Sequence, residues 1–129
     1  MDTLWDPFRK KSVSATPEEW VRQGVLAGLL AQGYPSIALA VEKSVLVYGK
    51  RKRFDILVFK KAKPWMVIEC KAPHISLDQD TLNQVFSYRI ALDCPYAMIT
   101  NGTQHFLFEA APGEEKGVVQ RASLPTFAP

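Results

Sequence analysis

Apolar residues recur along the chain at two spacings, one typical of helices and the other typical of strands. The first helical segment is apolar over most of its surface, which favours a helix packed on both sides or deep against a sheet. The third strand segment has an almost continuous apolar start, as expected for a central strand covered on both faces. The pattern predicts, in chain order, a helix over 17–32, strands over 42–48, 53–59 and 65–71, a helix over 77–92, and strands over 95–100 and 104–109.

Local signals mark the ends of the first helix and one turn. Thr16 can cap this helix, and Glu19 would complete a capping box with it. Pro17 suits the first helical position, and Gly33 suits the position just after the helix. The stretch 49–52 is predicted to form the hairpin turn between the first two strands.

The order of the elements predicts an α/β fold in which helices flank a central mixed sheet. The helix over 77–92 can carry the chain across to a parallel fourth strand. Residues 1–129 are predicted to form a single domain with its core over about 16–109. Residues 1–15 and 111–129 are expected to be peripheral arms, the second holding an edge strand at most and then a loose end.

The composition is that of a globular domain, with 129 residues of which 47% are hydrophobic and 22% charged. Two cysteines are too few for a disulfide scaffold, and their spacing matches no zinc site. No apolar stretch is long enough for a signal peptide or a membrane span, so a cytoplasmic protein without a membrane partner is expected. The sequence holds no GxxxxGK[ST] loop, so no nucleotide cofactor is expected.

Charge is distributed unevenly along the chain. Residues 43–71 carry nine basic side chains and only two acidic ones, whereas the whole chain has a net charge of +3. A segment this basic favours a polyanionic partner. The alternative is a solvated hairpin whose lysines protect the edges of the sheet.

The two acidic residues of this basic segment lie close to a lysine. Asp55 lies within the second predicted strand, and Glu69 and Lys71 lie at the end of the third, two apart and therefore on one face. If these strands pair as a hairpin, Asp55 lies beside Glu69. Unpaired buried charges are costly, so a cluster of them usually persists because it holds a metal or does chemistry. Two carboxylates with open water positions suit Mg²⁺. The alternative is a structural pair between Glu69 and Lys71, with Asp55 satisfied locally.

Six short segments on the predicted elements carry a family pattern. They are TPEEWVRQ (16–23), GYP (33–35), RFDILVF (53–59), PWMVIECKAP (64–73), QVFSY (84–88) and ITNG (99–102). Together they resemble the N-terminal nuclease domain of type I restriction enzyme R subunits, within the PD-(D/E)xK nuclease superfamily, and in particular its short stand-alone relatives. The resemblance covers about 16–109, and D…ExK…QxxxY in this order is far more specific than ExK alone. Phe54 stands where the superfamily name has a proline.

The resemblance implies a restriction-endonuclease-like core that holds a metal site with catalytic residues beside it. It assigns Asp55 and Glu69 as catalytic residues and metal ligands, and the backbone carbonyl of Cys70 as a further ligand. Lys71 becomes the catalytic lysine. Mg²⁺ is the implied cofactor, and Mn²⁺ is expected to substitute for it. The side chain of Cys70 alternates with those of Glu69 and Lys71, which predicts a core position.

Four further residues are predicted to contact nucleic acid. Gln84 and Tyr88 match the family's QxxxY motif, which implies a catalytic role for Gln84 and DNA contact for both. Their spacing places both on one helix face, where the alternative is a polar stripe beside the core. Arg51 and Arg53 share the face of Asp55 by strand spacing and are predicted to contact backbone phosphates, the alternative being a solubilising turn.

Sites of this fold often include an acidic residue from the first helix. Glu19 already has the predicted capping role, whereas Glu18 borders the buried face of the helix. Glu18 is therefore selected as a further metal ligand. Arg22 lies one turn later, where it can pair with Glu18 or meet a phosphate.

The resemblance implies metal-dependent phosphodiester hydrolysis of DNA, and thus an endonuclease related to restriction enzymes. The expected partners are DNA and either a second copy of the chain or a larger restriction or repair complex. The alternative is a DNA-binding or assembly module of the same fold with weak or no catalysis, since 129 residues do not include a motor. A third reading is an unrelated α/β structural domain with a chance ExK.

Overall fold

The computed structural model describes residues 2–128, which form a small two-stranded sheet, a six-stranded sheet and two α-helices. None of the helices formed by these residues is long and apolar enough to cross a membrane. The elements are β1 (Thr3–Asp6), β2 (Lys11–Ser14), α1 (Pro17–Ala31), a 3-10 turn (Ser36–Ala38), β3 (Leu39–Val47), β4 (Lys50–Lys60), β5 (Lys63–Cys70), α2 (Gln79–Leu92), β6 (Tyr96–Thr100), β7 (His105–Ala110) and β8 (Val118–Arg121).

The large sheet is mixed, as the order of elements predicted. Its strands lie in chain order from β3 to β8, and every neighbouring pair is antiparallel except β5 and β6. That parallel pair is joined by α2, because parallel neighbours need a crossover longer than a hairpin turn. The result is an α/β fold with a restriction-endonuclease-like core.

The two helices belong to two separate apolar clusters, one for each face of the sheet. Leu26 of α1 packs with Ile56 and Ile68 in one cluster, the α1-side cluster. Val85 of α2 packs with Leu57 in the other, the α2-side cluster. Alternate strand residues thus serve opposite faces. The outer face of α1 remains open, since Trp20 is 61% exposed, so of the two expected arrangements α1 lies against the sheet and is not packed on both sides.

Of the two hydrogen bonds in the predicted capping box of α1, the structure records only the one accepted by Thr16. Thr16 Oγ1 accepts a hydrogen bond from the backbone N–H of Glu19 at 3.1 Å. The carboxylate of Glu19 accepts instead from Arg9, Arg22 and Gln23. Hydrogen bonds between charged groups are stronger than those to a neutral N–H. The Glu19 carboxylate is therefore stabilised more by the two guanidinium groups than it would be by a single backbone N–H.

Both peripheral arms have structure that the local pattern did not predict. β1 and β2 form a hairpin whose turn is held by the fully buried carboxylate of Asp6, which accepts from the backbone N–H of Phe8 at 2.9 Å. In the C-terminal arm, Tyr34 donates its hydroxyl hydrogen bond to the carbonyl of Pro125 at 2.6 Å. Phe127 then packs edge-on against Trp65, 5.5 Å between ring centroids, so the expected loose end is docked.

The turn between β3 and β4 lies earlier than the predicted stretch 49–52. Val47 pairs with Lys50, so the loop consists of Tyr48 and Gly49 alone. Both have positive φ angles of 50° and 77°, as a tight two-residue hairpin turn requires. The basic residues that follow Gly49 therefore belong to β4 and not to the turn.

Candidate active site

The carboxylate of Asp55 lies where the pairing between β4 and β5 ends. The regular ladder of these two strands reaches the pair Ile56 and Ile68. Beyond it, the backbone N–H of Cys70 donates to Asp55 Oδ2 at 2.8 Å. Phe54 belongs to the α2-side cluster and Ile56 to the α1-side cluster, so the alternation of β4 is interrupted at Asp55. The Asp55 carboxylate thus accepts the hydrogen bond of the Cys70 N–H in place of a backbone carbonyl of β4.

Glu69 lies beside Asp55 in a position that disfavours its charge. Burial, reinforced by the neighbouring carboxylate of Asp55, raises the pKa of Glu69 to about 8, while Lys71 acts in the opposite direction. Glu69 Oε1 is buried and has no hydrogen-bond partner among the described residues. The three residues of the D…ExK pattern are therefore brought together, with one oxygen left unsatisfied.

Lys71 is half-buried, and a hydrogen bond to the neighbouring strand holds its backbone in place. It directly follows β5, and its N–H donates to the carbonyl of Thr100 at the end of β6, at 2.8 Å. Cys70 is almost fully buried in the α1-side cluster, and burial raises the pKa of its thiol. The core position predicted for the Cys70 side chain is confirmed.

A buried arginine from α1 completes the surroundings of Asp55. Arg22 is 4% exposed, and its Nη2 lies 3.0 Å from Asp55 Oδ1. The same nitrogen lies 3.4 Å from Glu18 Oε1 and 3.5 Å from Glu42 Oε1, and Nη1 lies 2.5 Å from Glu19 Oε1. Of the two roles predicted for Arg22, the pairing with Glu18 is present, but Asp55 and Glu19 are nearer partners.

A second arginine, from the N-terminal hairpin, extends this network. Arg9 forms ion pairs with Asp6, with Glu19 at 2.5 Å and with Glu42 at 3.1 Å. Arg9, Asp6 and Glu42 were not predicted from the sequence. The only available signal was a charged residue, Arg22, on an otherwise apolar stretch of helix, because a buried arginine requires carboxylates around it.

Glu18 lies at the edge of this group with its side chain 47% exposed. Partial burial raises its pKa, Asp55 raises it further, and Lys71 and Arg22 lower it. The ion pair that the structure records for Glu18 is with Arg22 Nη2, at 3.4 Å. Its assignment as a metal ligand stays a prediction.

The QxxxY residues lie on α2, on the other side of the sheet. Tyr88 packs edge-on against Phe54 with 5.2 Å between ring centroids, and Lys52 Nζ lies 4.4 Å from the centre of the Tyr88 ring. Gln84 lies one turn earlier and is exposed. The structure brings Tyr88 to the residue preceding Asp55, and it records no hydrogen bond from the Gln84 side chain to a described residue.

Arg51 and Arg53 are both exposed on β4. Arg53 Nη1 lies 3.9 Å from Glu42 Oε2, with 68% of the Arg53 side chain exposed. Because Arg22 also contacts Glu42, Arg53 is linked through this carboxylate to the surroundings of Asp55.

The carboxylates of Asp55 and Glu69 lie together, although the described residues contain no group of three or more metal-ligating side chains placed to hold a metal ion. Carboxylate oxygens are the ligands that Mg²⁺ prefers, and Glu69 Oε1 is an orphaned oxygen next to a second carboxylate. A cation there would satisfy this oxygen and offset both the burial and the repulsion from Asp55 that raise the pKa of Glu69. Asp55 Oδ1 is shared with Arg22, so metal binding and this ion pair are coupled.

A mixed sheet with a D…ExK cluster at the end of a central strand defines a restriction-endonuclease-like domain. Comparison with known families matches residues 17–125 to the type I restriction enzyme R protein N terminus, and the chain belongs to this family. This membership points to a nuclease-related role in restriction. No curated protein and no solved structure matches the chain.

The raised pKa of Glu69 predicts how the stability of the metal-free protein depends on pH. The unfolded chain releases this proton near pH 4.5, whereas the folded protein keeps it until about pH 8. Between these values the folded state binds the extra proton, so stability falls as pH rises, by at most about 1.4 kcal/mol per pH unit. Melting temperatures measured with a chelator across this range should show the fall in the wild type and a shallower fall in Glu69→Gln. Parallel curves for the two proteins would contradict this.

Proposed function

We propose that this domain hydrolyses phosphodiester bonds of DNA with the help of Mg²⁺, for which Mn²⁺ substitutes. The observation that carries the proposal is the orphaned, buried Glu69 Oε1 beside Asp55, with Lys71 two residues further on. Membership of the restriction R protein family supports the choice of DNA as the substrate.

The proposed metal ligands are the carboxylates of Asp55 and Glu69, the Cys70 carbonyl and, from α1, Glu18. A bound Mg²⁺ supplies charge that polarises a phosphate and lowers the pKa of a water. Lys71 holds that water in line and offsets the negative charge that develops on the phosphate. The Cys70 N–H and Arg22 fix the orientation of Asp55, with donor–acceptor distances of 2.8 and 3.0 Å.

The rest of the proposed site holds the DNA backbone. Arg51 and Arg53 point from β4 into solvent and can meet phosphates, while Gln84 and Tyr88 would contact DNA from α2, on the other face of the sheet. Gln84 is proposed as a catalytic residue only in the sense that it contacts the substrate. A homodimer or a larger restriction complex would supply a second strand cut, or base recognition.

One observation favours the alternative, a DNA-binding module without effective catalysis. Arg22 occupies Asp55 Oδ1, one of the oxygens that a metal would use. An arginine in this place can act as a permanent counter-ion for a site that binds no metal. The two readings differ in what divalent metal does to the protein and to DNA.

The function is tested by incubating supercoiled plasmid and single-stranded DNA with the protein in Mg²⁺ or Mn²⁺. The hydrolysis proposal expects metal-dependent cleavage that a chelator stops, and loss of cleavage in Glu69→Gln purified in parallel. Equal cleavage by both proteins would point to a contaminant and would leave the mechanism without support. DNA binding without cleavage would favour the module.

Thermal unfolding separates metal binding from catalysis. At a Mn²⁺ concentration about 100 times the dissociation constant, binding stabilises a folded protein by about 2.7 kcal/mol, which raises its melting temperature by several degrees. We expect this shift in the wild type and its loss in Glu69→Gln. The exposed acidic residue Asp80 lies at the start of α2, so Asp80→Asn is the control that should keep the shift. No shift in the wild type would contradict the metal site.

A further inference from the structure

The β3–β4 hairpin extends beyond Asp55 into solvent. From the pair Lys43 and Phe54 onwards, the two strands remain paired up to Val47 and Lys50, where the two-residue turn follows. Residues 43–53 include five basic side chains and no acidic one. This basic ribbon, residues 43–53, is therefore the part of the hairpin that leads away from Asp55.

The two faces of the basic ribbon differ in their surroundings. On one face Val45 and Val47 pack against the α2-side cluster, and Lys52 lies over the ring of Tyr88. On the other face Leu46 lies opposite Arg51 and is 65% exposed, and Ser44 lies opposite the exposed Arg53. This second face is open along its length.

The open face leads directly to the candidate active site. Arg53 Nη1 lies 3.9 Å from Glu42 Oε2, and Glu42 lies 3.5 Å from Arg22 Nη2, which binds Asp55. Successive residues on one face of a strand are about 6.6 Å apart. A polyanion lying along this face would thus pass two arginines before reaching Asp55.

An aromatic ring that the fold does not bury stands at the tip of the basic ribbon. Tyr48 is 83% exposed and has a φ angle of 50°, a conformation in which asparagine or glycine is the preferred residue. The turn therefore does not explain a tyrosine, and the Tyr48 side chain is absent from both apolar clusters. An exposed ring beside basic side chains is how proteins stack on the bases of single strands.

We infer that the basic ribbon binds a single strand of DNA with unpaired bases and guides it towards Asp55. In this arrangement Tyr48 stacks on a base, Leu46 contributes apolar contact, and Arg51 and Arg53 meet phosphates. A duplex fits less well, because its paired bases hide the faces on which a tyrosine could stack. The inference rests on the proposed function only in taking DNA as the ligand.

The test is binding of a short fluorescent oligonucleotide, as a single strand and as its duplex, with a chelator present. In Tyr48→Asn the ring is lost but the residue favours the same backbone conformation, so the turn is kept. We expect the dissociation constant for the single strand to rise about tenfold and that for the duplex to change less than about twofold. Tyr48→Phe keeps the ring and should bind like the wild type. Ile37→Asn removes a 95% exposed apolar side chain outside the ribbon and is the matched control.

The outcomes separate this inference from hydrolysis. Unchanged single-strand binding by Tyr48→Asn, an equal loss for both ligands, or no DNA binding by the wild type would each overturn the inference. Cleavage without a role for Tyr48 would leave the proposed function standing. A role for Tyr48 in a protein that cuts no DNA would support the inference and reject hydrolysis.

Discussion

Replacing Lys71 by alanine is expected to lower the rate of DNA cleavage by at least about 100-fold, the range seen when one group that stabilises transition-state charge is removed. Lys71 lies two residues after Glu69 and beside it, and its backbone is fixed to β6 through Thr100. Residues 72–78, which follow Lys71, contain no lysine or arginine, so none of these chain neighbours can substitute for its charge.

The measurement is the rate of plasmid cleavage at saturating DNA, together with the dissociation constant for DNA in a chelator. A catalytic Lys71 should lose rate while binding changes little. Lys63→Ala is the matched control, because Lys63 is an exposed lysine at the opposite end of the same strand, and its rate should stay within about twofold of the wild type. Cleavage that persists in Lys71→Ala would remove the lysine from the mechanism.

Replacing Arg22 by methionine is expected to destabilise the protein by about 3–5 kcal/mol, the cost of removing one partner from a buried ion pair. Arg22 is 4% exposed and holds Glu19, itself 4% exposed, at 2.5 Å and Asp55 at 3.0 Å. Without the guanidinium, Glu19 would keep its ion pair with Arg9, whereas Asp55 would keep none of the ion pairs recorded among the described residues.

Urea denaturation of the metal-free protein measures this effect. Arg121→Met is the matched control: Arg121 forms an ion pair with Glu109 at 2.8 Å, but its side chain is 49% exposed, so the loss should be below about 1 kcal/mol. The double variant Arg22→Met/Glu19→Gln should recover part of the stability, because one uncompensated charge is removed. Equal effects of the two arginine variants would show that the network around Arg22 does not stabilise the fold.

The elements of the core could be predicted because their signals are local. The alternation of apolar residues marks β4 and β5, and Gly33 ends the first helical segment with a φ angle of 91°. The crossover helix α2 follows from the same reasoning, since a helix between two strands permits parallel pairing. The predicted position of the tight turn was wrong because the turn contains Tyr48, a residue type that disfavours positive φ.

Local sequence patterns were enough to predict the order of the elements, the mixed sheet and the meeting of Asp55, within β4, with Glu69 and Lys71 at the end of β5. Strand period and chain order suffice for this, because they decide which faces and ends meet. Tertiary packing, in contrast, brings Arg22 to Asp55, brings both Arg9 and Arg22 to Glu19, and leaves Glu69 Oε1 without a partner among the described residues. These contacts join residues far apart in the chain, and the burial that raises the pKa of Glu69 arises when all of them pack together, so no local pattern records it.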